Sequence, residues 1–447
     1  MDKTKFGLRI SIIEGTFAQI HINLTAGMFL MSFALYIGLN NVGIGILSAI
    51  PAFFTGAAFF SIYLVNFFKN RRQLCVLFSG IGRGVFLIIG VLLLFNVSIH
   101  PGLFFLIVII HNILLNFSNN AWLSWMSDLV PKDKRGSYFG IRNTVLNIVG
   151  MITNIVGGYI LDFYKMADAL AKGLGLIFAG ASVSSTIAAG VLTIQPEPLM
   201  KSESPNLKKL FLTPLKDKNF RNLLEFIAFW YLLAGIASPF YLVHMLTNLK
   251  MVYSKVALYS IFAGVSSLAF QIVWGRAIDR IKSKPVLTIN FFAAAFLPLI
   301  WLFANKNFLL PIWIDAILTG IFWSGINLSL FNILFSLTEE KELKESYFAV
   351  FATISGVFGF VSALAGGFIA QALVSVKIHI WGLDLINYHL MFAFATFIRL
   401  LSLFLLSRVK EKEAYPTIKA LQLMGDYTLK RLVIYKDLIL NTIRFQK

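Results

Sequence analysis

The chain has 447 residues, of which 58% are hydrophobic and only 13% are charged, and its mean hydropathy is +0.78. This composition, with 44 Phe residues, excludes a set of soluble domains. The net charge of +18 would suit a nucleic-acid binder if the basic residues formed one surface. They fall instead in alternate loops between apolar segments, so nucleic acid is not an expected partner.

Apolar runs recur along the whole chain, and each is long enough to cross a hydrocarbon core of about 30 Å. We predict twelve membrane spans, numbered one to twelve in chain order: 12–38, 43–66, 74–96, 102–126, 139–161, 173–194, 222–247, 254–275, 286–304, 309–335, 347–374 and 386–406. The single cysteine, Cys75, can form no disulfide within the chain.

The basic residues follow the positive-inside rule. With the N terminus inside, the inner loops carry about 30 of the 39 Lys and Arg residues, and the outer loops carry about 6. This distribution predicts a multi-pass protein of the cytoplasmic (inner) membrane with both termini in the cytoplasm. The basic loops would then face the lipid headgroups of the bilayer.

Two distant segments of the chain repeat at one common offset. Residues 137–158, SYFGIRNTVLNIVGMITNIVGG, align with residues 346–367, SYFAVFATISGVFGFVSALAGG, which begin 209 positions later. The same offset carries Asn70–Arg71 onto Asp279–Arg280. The sequence therefore predicts two tandem copies of a six-span unit, which is a common design of secondary transporters.

The predicted organisation has four parts. A six-helix bundle over 1–195 is joined to a second bundle over 222–407 by a cytoplasmic linker over 196–221, which is rich in Pro and Lys. A cytoplasmic amphipathic tail follows over 408–447. Apolar and basic residues interleave in this tail, which favours either a helix on the cytoplasmic leaflet or a helix packed on the loops of the bundle itself.

Three loops carry a family resemblance. Residues 275–284, GRAIDRIKSK, resemble the loop signature between the second and third spans of each half in the major facilitator superfamily. The first half's copy, NFFKNRRQ at 66–73, departs from it, because Asn66 and Asn70 replace the Gly and the Asp of the signature. The loop at 127–143 also resembles the connection between spans four and five in many prokaryotic members.

The resemblance implies an all-α polytopic membrane protein with twelve transmembrane helices in two pseudo-symmetric six-helix bundles. It places spans one, four, seven and ten around a central cavity that opens alternately to either side of the membrane. It does not identify the solute, because the superfamily moves sugars, drugs, peptides, ions and lipids.

Glycine pairs end spans five and eleven. Span five ends in GMITNIVGG, which is similar to an antiporter signature except that Thr153–Asn154 stand where Gly-Pro is expected. The second half has the matching pair Gly366–Gly367. Because both halves carry the feature, we predict that it lets helices approach closely rather than that it defines exchange.

Span four offers a row of amides. Polar side chains inside a membrane are costly, so those facing a cavity are candidates for function. The amides recur at helical spacing and share one face: Asn112, Asn116, Asn119 and Asn120. Amides donate and accept hydrogen bonds, which suits a hydroxylated or amide-bearing solute, although they could equally bond to neighbouring helices.

The polar residues of span ten follow one another at steps of four: Asp315, Thr319, Trp323 and Asn327. We predict that Trp323 stacks on a flat solute and that Asn327 fixes its orientation. Asp315 is either a coupling group or a hydrated carboxylate, because it lies about one turn below the outer surface. In span seven, Trp230 and Tyr231 are candidate cavity aromatics, with lipid-facing placement as the alternative.

Span one carries two candidate coupling residues, Glu14 and His21, which are seven apart and share a face. A carboxyl shielded from water can serve as a proton-coupling group, and the alternative for Glu14 is an ion pair with Arg9 at the headgroups. His21 is a candidate for titration or a core histidine, and we favour the core. Arg83 and Arg399 are expected to snorkel or to pair within the bundle, outside the site.

The last candidates concern a gate at the cytoplasmic face, and they lie in the inner loops of both halves: Asp279, Arg280, Arg135, Arg142, Asn70 and Arg71. In the family fold, the loop after span eight packs on the inner start of span five. A carboxylate is stabilised at a helix N terminus, so we expect Asp279 to latch this gate shut. The matching latch, with Asn70 against the start of span eleven near Lys344 and Ser346, lacks the charge and should contribute less.

We predict a secondary active transporter that moves a small organic solute by alternating access, with protons as a candidate coupling ion. The Asn residues favour a polar solute, and the Phe-rich spans favour the alternative, a multidrug or amphiphile exporter. No Walker loop, zinc motif or nucleophile elbow is present, so we expect no enzyme, no cofactor and no metal. A membrane-embedded enzyme or a non-transporting sensor would be a different class. We expect a monomer.

Overall fold

The computed structural model describes residues 3–57, 70–198, 207–339, 341, 344–380 and 383–423. In this part of the chain, eleven helical stretches are long and apolar enough to cross a membrane. A shorter apolar helix, Asn41–Ala57, occupies the position of span two and ends beside the undescribed residues 58–69. The architecture is the predicted one, a helical membrane protein in two six-span halves.

The helices of the first half run Lys3–Leu24 and Gly27–Tyr36 in span one, Asn41–Ala57 in span two, Arg71–Gly84 and Phe86–Leu94 in span three, Pro101–Leu129 in span four, Arg135–Met166 in span five and Leu170–Thr193 in span six. The helices of the second half run Lys218–Phe229, Trp230–Ala234 and Ser238–Thr247 in span seven, Tyr253–Ile281 in span eight, Ser283–Ala295 and Leu297–Ile300 in span nine, Leu310–Thr338 in span ten, Lys344–Ala372 in span eleven and Asn387–Ser407 in span twelve.

Two of these spans are interrupted where the sequence places proline. Span seven contains a π-helical turn, Trp230–Ala234, before a new helix starts with Pro239 in its first turn. Span nine restarts in the same way at Pro298. Proline has no backbone N–H to give to the preceding turn, so it is tolerated at a helix start and breaks a helix interior.

Among the described residues, the hydrophobic core that the two halves share lies at one end of the molecule. Successive spans run in alternate directions between two faces of the molecule. We call one of them the terminal face, because Lys3, the linker and Ser407 lie there. At the opposite or far face, one cluster contains Phe33 and Phe104 of the first half together with Phe240 of the second. Nearer the terminal face, each half has its own cluster, around Trp125 in the first half and around Phe291 in the second.

The glycine pairs allow close helix approach, as predicted. A Cβ added to Gly158 would lie 3.1 Å from the backbone of Ser254 in span eight, and one added to Gly367 would lie 2.9 Å from the carbonyl oxygen of Asn41. Such distances are tighter than most side chains tolerate, so these glycines bring spans five and eight, and spans two and eleven, into backbone contact across the halves.

Arg71 ties the first half together at the terminal face. Its side chain is 1% exposed and donates to Asp128 at 2.6 Å, to the carbonyl oxygen of Pro198 at 2.9 Å and to Glu197 at 3.4 Å. These partners lie at the end of span four and after span six. Arg71 was predicted to be a gate residue, and in this state it holds elements of its own half together.

Two local features complete the fold. The loop between spans eleven and twelve forms an antiparallel hairpin, Lys377–Ile380 with Leu383–Ile386. At the start of the tail, Ala420 is buried against Trp274 and Ile278 of span eight. This part of the tail therefore packs on the bundle, and the predicted amphipathic segment over 424–447 lies outside the described residues.

Candidate functional site

A polar cavity of about 390 Å³ lies inside the first half, and residues of all six spans line it. Its lining includes three charged residues and three asparagines: Glu14, Arg83, Arg142, Asn112, Asn116 and Asn119. The remaining lining includes Ser79, Trp122 and Gln19. Five of the residues predicted for the substrate, coupling or gate sets are therefore brought to one place, together with Arg83, which had been left out.

An ion cluster forms one side of this cavity. The Glu14 residue is 4% exposed, and its Oε1 lies 3.3 Å from Nη1 of Arg83. Its Oε2 lies 3.9 Å from Nη2 of Arg142, whose guanidinium stacks over the Trp122 ring at 4.4 Å. A buried carboxylate requires compensation by opposite charge, which the two arginines of spans three and five provide.

Two expectations are corrected by this cluster. Glu14 pairs with Arg83 and Arg142 and not with Arg9, because the terminal half of span one faces spans three and five. Arg83 lines the cavity, although it was expected to lie outside the site. Arg142 was assigned to the gate, and in this state its side chain belongs to the cavity wall, where Nε also donates to the carbonyl oxygen of Ser11 at 3.4 Å.

The amides of span four divide into lining and supporting residues. Asn116 and Asn119 line the cavity, and so does Asn112, whose Nδ2 donates to the carbonyl oxygen of Val108 at 2.8 Å. Asn120 is not among the lining residues, and its Nδ2 donates to Oδ1 of Asn116 at 3.2 Å. This contact orients Asn116, so we assign Asn120 a positioning role.

A second cavity of about 300 Å³ lies where spans one and five meet span eight. Its lining is uncharged and polar: Gln19, Asn23, Asn147, Asn154, Ser267 and Gln271. Gln19 lines both cavities and donates to Oδ1 of Asn23 at 2.6 Å, and Asn23 donates to Oδ1 of Asn154 at 3.1 Å. None of these residues was predicted to be a site residue, although intramembrane Asn and Gln in spans one, five and eight were the available signal.

In the second half, Asp315 is buried in the core. Its residue is 2% exposed, and its Oδ2 accepts a hydrogen bond from the Tyr259 hydroxyl at 2.7 Å. Arg399 of span twelve donates to the carbonyl oxygen of Ala294 at 3.1 Å and lies close enough to act electrostatically on Asp315. The alternative of a hydrated Asp315 is therefore wrong, because spans eight, nine and twelve enclose that end of span ten.

The aromatic candidates of the second half occupy different environments. Trp230 is 5% exposed and packs edge-to-face on Phe291 at 4.4 Å, beneath the guanidinium of Arg399. It is a core residue, neither a cavity aromatic nor a lipid-facing one. Tyr231, the next residue, is 39% exposed, because adjacent residues of a helix point in different directions.

The stripe of span ten does not share one environment. Asp315 is buried, Trp323 is partly buried with its ring 6.2 Å from that of Trp230, and Asn327 is exposed. A step of four residues advances about 40° beyond a full helical turn, so three steps rotate the stripe by about a third of a turn. This rotation separates Asp315 from Asn327 around the helix.

His21 is a fully buried core residue, as the favoured interpretation had it. Its Nδ1 lies 3.1 Å from the carbonyl oxygen of Ala181, and its ring centre lies 5.4 Å from that of His111. His111, which precedes the amides of span four, has its Nδ1 2.7 Å from the carbonyl oxygen of Gly82. These contacts place both imidazoles in the packing of the first half.

Hydrogen bonds between the halves cluster at the far face. Asp162, near the end of span five, accepts from the backbone N–H groups of Tyr253 at 2.6 Å and Ser254 at 2.9 Å, where span eight begins. The Tyr253 hydroxyl bonds to Ser32 at 2.6 Å, and Asn41 of span two donates to the carbonyl oxygen of Ala370 at 3.2 Å. The far face is therefore closed, with a carboxylate on a helix N terminus as its most polar contact.

At the terminal face, the expected latch is not formed in this state. Asp279 is exposed and makes no ion pair within the described part of the chain, and Arg280 is exposed beside it. Arg135 donates to the carbonyl oxygen of Ser127 in its own half. Asn70 caps its own helix by accepting from the N–H of Gln73 at 2.9 Å. A molecule closed at the far face does not test a latch that would form when the terminal face closes.

Comparisons with solved structures reveal the same fold in known transporters. A mutant of the nucleoside transporter NupG aligns with 91% of this chain and 100% of its own at 12% identity and a TM-score of 0.70. A D-xylose–proton symporter aligns over 92% and 98% at 14% identity and a TM-score of 0.65. A bacterial homolog of the human lysosomal transporter Spinster, inward-facing and occupied, aligns over 92% and 97% at 13% identity and a TM-score of 0.63.

The sequence itself matches a family model. No curated protein matches the chain, but the model of the Major Facilitator Superfamily matches residues 15–363. This match runs from span one into span eleven. Because it covers most of the chain and the structural neighbours are transporters, the chain belongs to the major facilitator superfamily and is a transporter rather than an enzyme.

Proposed function

We propose that the protein is a secondary active transporter that carries a small polar organic solute through the cavity of the first half by alternating access. The observation that carries the proposal is the arrangement of the cores. The halves share one core at the far face and have separate cores near the terminal face, with two polar cavities between these levels. Rocking of the halves about such a site is how the family's inverted and tandem repeats work.

The proposed orientation places the terminal face in the cytoplasm. The inner loops carry most of the Lys and Arg residues, which favours that side for the termini. The state described here is then closed to the outside. The tandem halves and the single continuous core at the far face are consistent with a functional monomer in the lipid bilayer.

The polar lining of the two cavities favours a polar solute over an amphiphile. The substrate-binding candidates that we retain are Asn112, Asn116 and Asn119, with Asn120 supporting them, and the neutral amides of the second cavity extend this surface. Two structural neighbours, a nucleoside transporter and a xylose symporter by name, handle polar solutes. Tyr231, Trp323 and Asn327 remain proposed contacts for a later stage of the cycle, when the second half closes on the solute.

Proton coupling is proposed to reside in buried carboxyl groups. Glu14 is the first candidate, because it is buried in the cavity wall and forms ion pairs with two arginines, Arg83 and Arg142, that protonation would break. Asp315 is the second, in the core of the other half. His21 is not retained as a coupling residue, because its imidazole is fully buried in the packing of the first half.

Purified protein in proteoliposomes tests the transport proposal. Sugars, nucleosides, peptides and amphiphilic drugs are screened first by thermal shift, and each hit is then tested for uptake with and without a proton gradient. Uptake of polar hits is expected. Vesicles that move none of the hits would refute the transporter function, and uptake confined to amphiphiles would favour the exporter alternative.

Replacing Asn116 by Ala should weaken the apparent affinity for solute by about five- to tenfold, because a lost neutral hydrogen bond is worth about 1 kcal/mol. Asn327→Ala is expected to act in the same direction. Asn332→Ala is the matched control, since Nδ2 of Asn332 donates to the carbonyl oxygen of Leu328 within its own helix. Unchanged affinity in Asn116→Ala and Asn327→Ala, measured by initial uptake rates, would make both residues structural.

Replacing Asp279 by Asn should move the resting population toward the state described here, in which the terminal face is unlatched. The carboxylate is proposed to bind the start of span five when that face closes, a contact worth about 0.3–1 kcal/mol. The readout is labelling of a terminal-face cysteine in a Cys75→Ser background, which should rise up to about fivefold. Asp384→Asn, an exposed far-face acid, is the control. Equal labelling in the two variants would reject the latch.

A further inference from the structure

The cavity of the first half carries an excess of positive charge. Its charged lining residues, within the described part of the chain, are one carboxylate, Glu14, and two guanidinium groups, Arg83 and Arg142. Arginine stays protonated even when buried, whereas the single carboxylate can neutralise only one of the two. The cavity therefore has a net charge of one positive unit when Glu14 is ionised.

This charge is poorly compensated by the protein. The side chains of Arg83 and Arg142 are each 12% exposed, and that of Glu14 is 5% exposed. Nε of Arg83 and Nε1 of Trp122 are buried and have no hydrogen-bond partner among the described residues. An uncompensated charge and unpaired hydrogen-bond donors are costly inside a membrane. The cavity therefore favours a ligand that supplies hydrogen-bond acceptors and one negative charge.

The rest of the lining suits the body of such a ligand. Asn116 and Asn119 lie on the same cavity, and Gln19 connects it to the amide-lined second cavity. Amides bond to hydroxyl and amide groups in either direction. The Trp122 face is occupied by Arg142, so the arginine is held in place by stacking as well as by charge. A volume of about 390 Å³ is within the range of small-molecule sites.

We infer that the solute is a monoanion, a carboxylate borne on a hydroxylated or amide-bearing body of monosaccharide size. The carboxylate is held by Arg83 and Arg142, which it shares with ionised Glu14. One excess positive charge matches a single negative charge, which is why a carboxylate fits better than a doubly charged phosphate. This inference rests on the proposed function, because it assumes that the cavity is the solute path.

The inference predicts that Glu14 competes with the solute. Purified full-length protein is titrated by calorimetry with matched pairs of neutral and acidic probes, glucose with glucuronate and N-acetylglucosamine with N-acetylmuramate, and with glucose 6-phosphate. The acids should bind about tenfold or more tightly than their neutral partners. Glu14→Gln should tighten the binding of the acids by about tenfold, because it removes the competing carboxylate.

Two further variants complete the test. Arg83→Gln should abolish the preference for acids, whereas Arg408→Gln should not, because Arg408 pairs with Glu225 at an exposed position outside the cavity. Tighter binding of the acids by Glu14→Gln could not result from misfolding, because a damaged protein would not bind more tightly.

The outcomes separate this inference from the transport proposal. Acids that bind no better than their neutral partners, absence of acid binding, or preference for the phosphate would each overturn the monoanion assignment, and uptake of neutral solutes into vesicles would still support transport. Tight acid binding without any uptake would retain the anion site and refute the transporter function.

Discussion

Replacing Glu14 by Gln is expected to abolish proton-driven accumulation of the solute while leaving exchange down a solute gradient. Glu14 is the buried carboxylate of the cavity wall, and Gln keeps its shape but cannot take up or release a proton. The groups that face it are Arg83 and Cys75 from span three, and Arg142 and Tyr138 from span five. Protonation of Glu14 would free both guanidinium groups for the solute, which links proton binding to solute binding.

The size of the effect follows from the gradient. With one proton per solute, a gradient of one pH unit supplies about 1.4 kcal/mol and supports about tenfold accumulation, and the variant should only equilibrate. Proteoliposomes with an imposed pH gradient give the measurement. Glu225→Gln serves as the matched control, because Glu225 is an exposed glutamate paired with Arg408. Accumulation by Glu14→Gln at the wild-type level would remove Glu14 from the coupling mechanism.

The second large effect is expected for Asp162→Asn, which should open the far face. Asp162 accepts two backbone hydrogen bonds from Tyr253 and Ser254 at the start of span eight, and these contacts join the halves. Hydrogen bonds to a charged group contribute about 1.5–3 kcal/mol each, and part of this survives with the amide oxygen of Asn. A loss of about 1–3 kcal/mol would shift the ratio of the two states by about 5- to 150-fold.

The shift can be measured as a distance. Spin labels are attached after Asp168→Cys and Lys250→Cys, two exposed far-face positions in different halves, in a Cys75→Ser background. Asp162→Asn should add a longer-distance population, and Asp133→Asn, an exposed acid beyond span four, should not. An unchanged distance distribution in Asp162→Asn would show that glycine packing alone closes the far face.

We propose that Asp162 and Asp279 act as alternating latches, one at each face of the molecule. Each is an acid near the end of a span, and each is proposed to bind the first turn of a helix in the other half. The Asp162 latch is formed in this state, and the Asp279 latch is not, because the two faces do not close together. A carboxylate on a helix N terminus was predicted for the terminal face, and the same type of contact is found at the far face.

Much of the fold was determined by the sequence alone. The number of spans, the two halves and the family follow from runs of apolar residues and from a repeat at a fixed offset, and these are properties of local segments. The close approach at Gly158 and Gly367 was also predicted, because small residues in membrane helices let two backbones come into contact. Span four's amides were selected from helical spacing, which identifies the residues that share a face.

The partners of those faces were decided only by the tertiary structure. Spacing does not say which helix a face meets, so the partners of Glu14 were not predicted, Arg83 was left outside the site, and Trp230 was placed in the cavity. Helix rotation and packing determine these contacts: they bring Arg83 and Arg142 to Glu14, bury Trp230 on Phe291, and enclose Asp315. A buried charge is stable only beside its partner, and that partner lies on another helix, about 70 or 130 residues away in the chain.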